Sequence, residues 1–276
     1  MKKFRIKGRT KKICWMITII LLVIGLVMLI FLFFVDNKSE KGADLKLGIL
    51  GDNGVELVSI STDRKMINVL DLNGEVKLWI PGGLGWYRDS IIKKVLTQEK
   101  KINLVDDILF YNFGFKADKI LVLKNKADWK KRYWLKYRLA SNKMLIKEET
   151  INKDMATQDD FLSEIMVRDF AETNLVNEEL KLSVFNLSEV NGLASFMSKR
   201  LEWMGFSVVS IENITDDNIK KCLVNFGPKV RESNSWNYIN ELFDCDKKYD
   251  ANLNDFEVEF YFDDNFSSVI KYPSYK

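Results

Sequence analysis

The sequence predicts a mixed α/β (α+β) protein: an N-terminal transmembrane helix, a mixed α/β domain, and a small two-layer sandwich with the element order βαββαβ. Three observations lead to this fold class. Residues 13–35 carry no charge, which is typical of a membrane span. Short apolar runs separated by turn residues begin at Leu45 and predict strands. From Leu180 onward, strand-like runs alternate with amphipathic helical ones, which favours layered α/β packing.

The membrane segment runs from Ile13 to Val35. A helix of that length is ~34 Å long, enough to cross a hydrocarbon core of ~30 Å. No small-residue cleavage motif follows it, so we expect an uncleaved anchor. Residues 1–12 hold seven lysines and arginines and no acid, and the positive-inside rule therefore predicts a cytoplasmic tail. Residues 36–43 would be a linker, and the domains beyond it would be extracytoplasmic at the cell membrane.

Composition excludes several classes of function. Seven of the 42 basic residues lie in the tail, which leaves 35 against 39 acidic residues in the rest of the chain. The outer part therefore lacks the basic surface of a nucleic-acid-binding protein. The chain has no histidine, which excludes His-based catalytic triads and most catalytic zinc sites. Cys14, Cys222 and Cys245 match no metal-binding spacing. Cys222 and Cys245 fit either a disulfide, which an extracytoplasmic location permits, or two separate buried thiols.

The first folded region is predicted at residues 44–146. The Asn73-Gly74 pair between two apolar runs predicts a hairpin. A glycine-rich loop follows at Pro81–Gly85, and Trp129–Lys143 is a charged, aromatic segment of no clear type. The predicted strands are Leu45–Leu50, Val55–Ile60, Lys65–Leu70, Val76–Ile80 and Lys119–Leu123, and the predicted helices are Ser90–Gln98 and Asp106–Phe113.

Residues 147–178 are rich in acids and predict a partly helical connector, and residues 179–276 predict a second domain. Its elements are the strand Leu180–Phe185, the helix Gly192–Met204, the strands Phe206–Ile211 and Lys221–Phe226, the helix Ser235–Phe243 and the strand Phe256–Phe262. Gly205 predicts the end of the first of these helices. This order gives the small two-layer sandwich.

Three short motifs of the second domain carry a family resemblance. They are VFNLS at 184–188, GLA at 192–194 and GFSVV at 205–209, with Leu201 late in the intervening helix. In residue type and spacing they resemble the C-terminal domain of the LytR–CpsA–Psr cell-envelope family. The resemblance implies a bacterial envelope protein.

The residues of these motifs have expected structural roles. Asn186 would hydrogen-bond the turn that follows it. Gly192 would permit close packing at the helix start, and Gly205 would adopt a left-handed cap. A ligand contact at this turn would involve Asn186, Ser188 and Asn191.

The first region resembles a reduced form of the same family's catalytic domain over Leu45–Gly82. The resemblance implies transfer of a glycopolymer from a polyprenyl pyrophosphate onto peptidoglycan. That chemistry needs arginines to hold the pyrophosphate and acids to hold Mg²⁺. Where the family pattern reads S-I-P-R-D-T, Gly74 stands at the arginine position and Glu75 at the acid position. The domain is therefore expected to be degenerate and the protein to be non-catalytic, with no cofactor and no metal site.

Two alternatives stay open at this point. The protein could be an active glycopolymer–peptidoglycan phosphotransferase that uses displaced residues and Mg²⁺, or a scaffolding subunit of an envelope complex. The replacement charges for a ligase would be Arg64, Arg88, Asp89, Lys93 and Lys94.

The segment after the glycine-rich loop is a second candidate binding site. Trp86 could stack on a sugar or a lipid headgroup, with Arg88 beside it. The loop itself lacks the Lys-Ser/Thr pair of a P-loop. The expected partners are thus the lipid bilayer and either peptidoglycan, a wall glycopolymer or envelope proteins, and no nucleic acid.

Overall fold

The computed structural model describes residues 44–61, 64–132, 145–151, 159–178, 180–215, 219, 222–233 and 235–270, with seven residues between 15 and 25. Residues 44–276 form one compact unit, separate from residues 1–43. The predicted tail, the linker and most of the predicted span lie outside the described residues. Among the helices that the structure describes, none is long and apolar enough to cross a membrane. The domain boundaries within 44–276 stay predictions.

The first three strands form an antiparallel meander, as their apolar runs predict. They are β1 (Leu45–Gly51), β2 (Gly54–Ser61) and β3 (Met66–Leu72). Nearly every residue of these strands is buried, because side chains on both faces of the sheet are covered.

The predicted hairpin at Asn73-Gly74 is wrong. The chain leaves the sheet there, and β4 (Lys77–Ile80) pairs with β5 (Gly85–Arg88) in a separate two-stranded sheet. Gly74 has a φ of 88°, a left-handed conformation that suits glycine, and it turns the chain out of β3. The strand Leu145–Ile151 takes the place beside β3 instead, so a pairing with a distant segment overrides the local turn signal. No strand was predicted at the position of β5.

Helices and two further strands complete the first half of the unit. They are α1 (Asp89–Gln98), α2 (Val105–Phe113), β6 (Lys119–Val122), the short α3 (Trp129–Arg132) and β7 (Leu145–Ile151). The five-stranded sheet has the order β6-β1-β2-β3-β7, with β6 parallel to β1 and β7 parallel to β3. The two predicted helices and the predicted strand at Lys119 are confirmed, whereas β7 was not predicted as a strand.

A helical stretch leads to the second sheet. It contains α4 (Asp159–Ile165), a π-helical turn at Met166–Phe170 and α5 (Thr173–Glu178). The elements that follow are β8 (Lys181–Asn186), α6 (Leu193–Met204), β9 (Ser207–Asn213), β10 (Leu223–Phe226), α7 (Trp236–Leu242), β11 (Asp246–Tyr249), β12 (Glu257–Phe262) and α8 (Asp264–Ile270).

The predicted order βαββαβ needs a correction. All six predicted elements are present, but β11 and α8 are additional. The strand order is β11-β10-β12-β8-β9, so β11 is an edge strand. Its sequence, DKKY, is charged and mostly exposed. Charged edge strands are common because they discourage pairing with other chains, and they carry little apolar signal.

The two halves of the unit share their cores. Trp79, Phe110 and Tyr111 of the first half lie in the hydrophobic cluster of the second sheet, and Trp203 of α6 lies in the main cluster of the first half. Gly114, which ends α2 with a φ of 60°, makes this contact possible. A Cβ atom there would lie 2.9 Å from Trp203 Cβ and would overlap the backbone carbonyl oxygen of Arg200.

Candidate functional site

The turn around Gly74 holds a buried carboxylate. Asp89, the first residue of α1, is fully buried. Its Oδ2 accepts hydrogen bonds from the backbone N–H of Gly74 at 3.2 Å and of Val55 at 3.4 Å. A Cβ on Gly54 would overlap Asp89 Oδ2, so the carboxylate fits only against glycine. Burial raises the pKa of Asp89, and the bond from Val55 opposes that rise.

The cation beside this turn is bound by the protein itself. Lys126 is buried, its Nζ donates to the carbonyl oxygen of Leu72 at 2.6 Å, and it forms an ion pair with Asp71. Asp71 lies directly opposite Glu56 in the β2–β3 ladder. Burial raises the pKa of Glu56 to about 7, the indole N–H of Trp129 lowers it and the Asp71 charge raises it further.

Of the replacement charges proposed for a ligase, Asp89 contacts Gly74, whereas two of the proposed cations, Arg64 and Lys93, are bound to other groups of the protein. The guanidinium of Arg64 donates to Ala171 O at 3.2 Å and to Thr173 Oγ1 at 2.7 Å. Lys93 Nζ lies 2.5 Å from Asp52 Oδ1 and is bound there. Within the described part of the chain, no group of three Asp, Glu, Cys or His side chains could hold a metal ion. The backbone amides at this turn thus face a built-in carboxylate, which competes with any phosphate for the same donors.

Trp86 and Arg88 lie on the exposed hairpin of β4 and β5. Trp86 is 50% exposed. It pairs across the hairpin with the buried Trp79, and Arg88 pairs with Lys77. These four side chains share one face of the hairpin, because side chains alternate along a strand. Trp79 anchors that face, since its ring makes edge contacts with Tyr111 at 5.6 Å between centroids.

Lys77 and Arg88 form a like-charged pair. Both are exposed and stand directly opposite each other. Among the described residues neither takes part in an ion pair. Like charges opposite each other destabilise a ladder. An anion placed between them would relieve that repulsion.

The glycine-rich loop serves as the turn of this hairpin. Gly82, Gly83 and Gly85 all have positive φ values, between 75° and 91°. A Cβ on Gly82 or Gly85 would meet no atom within 4 Å, so the backbone conformation rather than close packing accounts for these glycines. The loop thus sets the register that brings Lys77 opposite Arg88.

The turn at Asn186 is internally bonded. Asn186 Oδ1 accepts from Ser188 N at 3.0 Å and from Ser188 Oγ at 2.7 Å. Its Nδ2 donates to Val190 O at 3.1 Å and to Asn213 Oδ1 at 3.0 Å. The expected hydrogen bonding of Asn186 to the turn is therefore confirmed. Asn191 is exposed at the end of the turn. The predicted site residues thus fall into two separate groups. Asn186 and Ser188 are hydrogen-bonded to each other, and Trp86 and Arg88 lie together on the hairpin.

Of the two structural roles expected for glycines in this motif, one is confirmed and the other is wrong. Gly205 caps α6 with a φ of 115°, as expected. Gly192 also has a positive φ, 81°, but a Cβ there would meet no atom within 4 Å. The expectation of close packing at Gly192 is wrong, and its backbone conformation accounts for the glycine.

Comparisons with known proteins give limited similarity. No protein-family model matches the chain, and no curated protein matches it significantly. Among solved structures, the LytR-CPS2A-psr family protein YwtF (TagT) with bound octaprenyl pyrophosphate lipid is similar at 13% identity and a TM-score of 0.26, over 63% of this chain and 78% of that one. The crystal structure of B. subtilis TagT is similar at 14% identity and a TM-score of 0.27, over 64% and 80% of the two chains. Both matched structures are of TagT, from the family that the motifs resemble, and scores this low carry no argument about activity.

One residue of the hairpin site was not predicted from the sequence. Lys77 belongs with Trp86 and Arg88 only through the pairing of β4 and β5. The sequence does indicate this pairing, because a four-residue turn at 81–84 between two short strand-like runs fixes which residues of the two strands stand opposite each other. The prediction of a hairpin at Asn73-Gly74 obscured that signal.

Proposed function

We propose that this is a non-catalytic, membrane-anchored protein of the cell envelope that binds an anionic wall glycopolymer at the β4–β5 hairpin. The observation that carries the proposal is the Lys77–Arg88 pair, which has no carboxylate partner among the described residues and lies beside the half-exposed Trp86. Two cations a strand spacing apart can hold one phosphate or carboxylate group. The indole can stack on an adjoining sugar or polyol unit.

The location rests on the sequence and on one covalent bond. The uncharged segment at 13–35 and the basic tail before it favour an anchor with the N-terminus in the cytoplasm. The lipid bilayer is then the first partner. Cys222 and Cys245 form a disulfide with a Cα–Cα distance of 4.7 Å. Stable disulfides are typical of oxidising, extracytoplasmic compartments, which supports the same orientation.

The absence of catalysis is supported by the turn at Gly74. A pyrophosphate-transfer site needs free cations and free amide donors for the developing negative charge. Here the amides of Gly74 and Val55 face Asp89, and Lys126 is bound to Asp71. This arrangement favours a binding protein over the ligase that the family resemblance implies.

The test is binding of the full chain, in lipid nanodiscs, to wall sacculi that carry a phosphate-containing glycopolymer. Sacculi from which that polymer has been chemically stripped serve as the second probe. We expect binding to the first to fall with rising salt, since charged contacts are screened. The double variant Lys77→Gln/Arg88→Gln should weaken it by roughly tenfold or more, as expected for the loss of two charged contacts.

A matched variant controls for net charge. Lys94→Gln/Lys124→Gln removes the same charge from exposed positions outside the hairpin and should bind almost as the parent does. Equal weakening by the two double variants would contradict the proposal. Turnover of a polyprenyl-pyrophosphate-linked glycopolymer by the purified chain would instead favour the ligase.

A further inference from the structure

Exposed aromatic side chains mark one end of the second sheet. Among the described residues after 43, the exposed aromatic side chains are Trp86, which belongs to the hairpin site, Tyr249 at 51% and Phe256 at 44%. Tyr249 ends β11, and Phe256 directly precedes β12. Because β10 lies between these two strands, the loop that follows it, residues 227–233, leaves the sheet between the segments that carry the rings. Grouped exposed apolar side chains are typical of surfaces that contact a ligand or a partner.

The loop at residues 227–233 is held in place by its own backbone and by one buried side chain. The backbone N–H of Lys229 donates to the carbonyl oxygen of Asp255 at 2.9 Å. Val230, the next residue, is fully buried. The loop therefore presents Arg231 in a defined position, which lowers the entropic cost of binding a ligand there.

The guanidinium of Arg231 lies against two aromatic rings. Its Cζ is 4.8 Å from the ring centroid of Phe226 and 5.6 Å from that of Trp236. These two rings pack on each other, with centroids 4.8 Å apart, and Phe226 is fully buried. Arg231 itself is exposed. Contacts with ring faces leave the N–H donors of a guanidinium available for an acceptor.

Arg231 has no anionic partner within the described part of the chain. Its side chain takes part in no ion pair and no hydrogen bond there, whereas the neighbouring Lys229 is paired with Asp255 at 2.6 Å. Glu232, which follows Arg231, is exposed as well. With Lys229 and Asp255 balanced, the loop offers one unpaired cation beside one acid. A group with a single negative charge suits this loop better than a polyanion, which the two carboxylates would repel.

Tyr249 places an exposed aromatic ring near this cation. Its centroid is 6.0 Å from that of Phe226, the same ring that Arg231 contacts. The cation and the exposed ring are thus grouped around one phenyl ring. The accessible part of an aromatic ring can cover the apolar face of a sugar. A ligand that holds an oxyanion and a sugar ring close together would contact both side chains.

We infer that the loop at residues 227–233 and Tyr249 form a binding site for a carboxylate-bearing sugar, with the carboxylate on Arg231 and the sugar ring against Tyr249. A guanidinium binds a carboxylate through two parallel N–H···O bonds. In a uronate the carboxylate is bonded directly to the ring, which fits a cation and an aromatic ring that share one neighbour. This site goes beyond the anionic-polymer site on the hairpin, shares no residue with it and does not depend on it.

The test uses the full chain in nanodiscs with Lys77→Gln/Arg88→Gln as the background, so that the hairpin charges do not contribute. The probes are hexagalacturonate, neutral cellohexaose and poly(glycerol phosphate), and the readout is titration calorimetry. We expect hexagalacturonate to bind at millimolar concentration or below, and more weakly as the salt concentration rises. Cellohexaose should bind at least about tenfold more weakly, since it lacks the carboxylate. Because the hairpin charges are absent, failure of this inference and failure of the proposed function are distinguishable.

Substitutions of Arg231 in that background separate its donor geometry from its charge and its packing. Arg231→Lys keeps the charge without the planar fork, and Arg231→Met keeps an apolar stem over Phe226. Both should weaken hexagalacturonate binding about tenfold, the effect of one lost charge-assisted contact, while melting as the background does. Tyr249→Ala should weaken it severalfold. Lys94→Met, at an exposed position of α1, controls for the loss of a cation and should bind unchanged.

Chemical modification locates the bound carboxylate. Hexagalacturonate should protect Arg231 from phenylglyoxal, as read by peptide mass spectrometry, and cellohexaose should not. The inference is overturned if hexagalacturonate does not bind at millimolar concentration, if Arg231→Met binds it as the background does, or if Arg231 stays unprotected. Equal binding of poly(glycerol phosphate), with the same loss in Arg231→Met, would assign a phosphodiester to the site and overturn the carboxylate.

Discussion

Lys46 offers the sharpest test of how the unit is held together. It is 1% exposed and lies on β1, in the interior of the first half. Its Nζ is 2.7 Å from Glu172 Oε1 and 2.5 Å from the carbonyl oxygen of Phe170, and it faces the Phe115 ring at 5.5 Å. Glu172 in turn accepts from the hydroxyl of Tyr238 at 3.0 Å. One buried ammonium therefore connects the first sheet, the helical stretch and α7.

Replacing Lys46 by methionine would keep most of the volume and remove the charge. Glu172 would then be a buried carboxylate with no cation, and breaking such a pair on one side costs about 3–5 kcal/mol. A protein of this size loses about 2–4 °C of melting temperature per kcal/mol. The Lys46→Met variant should therefore melt roughly 6–20 °C below the parent.

The assay is thermal and urea denaturation of the detergent-solubilised chain, with three variants. They are Lys46→Met, Glu172→Gln and the double variant. The double variant should recover much of the loss, because both charges leave the interior together. Lys94→Met, at an exposed position of α1, controls for the loss of a lysine. The reasoning fails if Lys46→Met melts within about 2 °C of that control, or if the double variant is as unstable as the sum of the singles.

Three further predictions concern other parts of the unit. The pKa of Glu56 is about 7 in the folded protein against an ordinary value of 4.5, so protonation of Glu56 stabilises the fold fully below about pH 4.5. Up to about 3 kcal/mol of the free energy of unfolding is lost as the pH rises through 7. Glu56→Gln should flatten that decline in urea denaturation measured at several pH values. Gly114→Ala should destabilise more than Gly192→Ala in calorimetry, because both have positive φ but only Gly114 lacks room for a Cβ; equal losses would contradict this. Reduction of the Cys222–Cys245 disulfide, 23 residues apart, should lower stability by about 3 kcal/mol, and an unchanged melt in reductant would argue against the bond.

Short-range sequence patterns, such as apolar runs and turn residues, predicted those elements whose conformation depends on residues close together in the chain. The apolar runs of β1–β3 are recognisable because they are buried on both faces. The end of α6 was predictable because Gly205 adopts a conformation that few other residues tolerate. Asn186 was placed correctly in its turn for a similar reason, since its side chain bonds the backbone only four residues away.

Pairing between distant segments could not be predicted in the same way. β7 pairs with β3 across more than seventy residues, and most of its side chains are at least partly exposed. Its sequence, LIKEETI, is polar, and the same holds for the edge strand β11. Edge strands need little apolar surface, so composition does not distinguish them from loops. The hairpin site was found only in part for a different reason: Trp86 and Arg88 stand out in the sequence, whereas Lys77 acquires its role from a local pairing that the predicted Asn73-Gly74 hairpin obscured.

The β4–β5 hairpin and the second sheet lie in one compact unit, and α6 links them physically. Trp79 supports the hairpin site and contacts Phe196 of α6, with 6.4 Å between ring centroids. The buried residues of α6, among them Met197 and Leu201, pack in the core beneath the second sheet. The hairpin and the sheet are thus held in fixed relation rather than by a flexible linker.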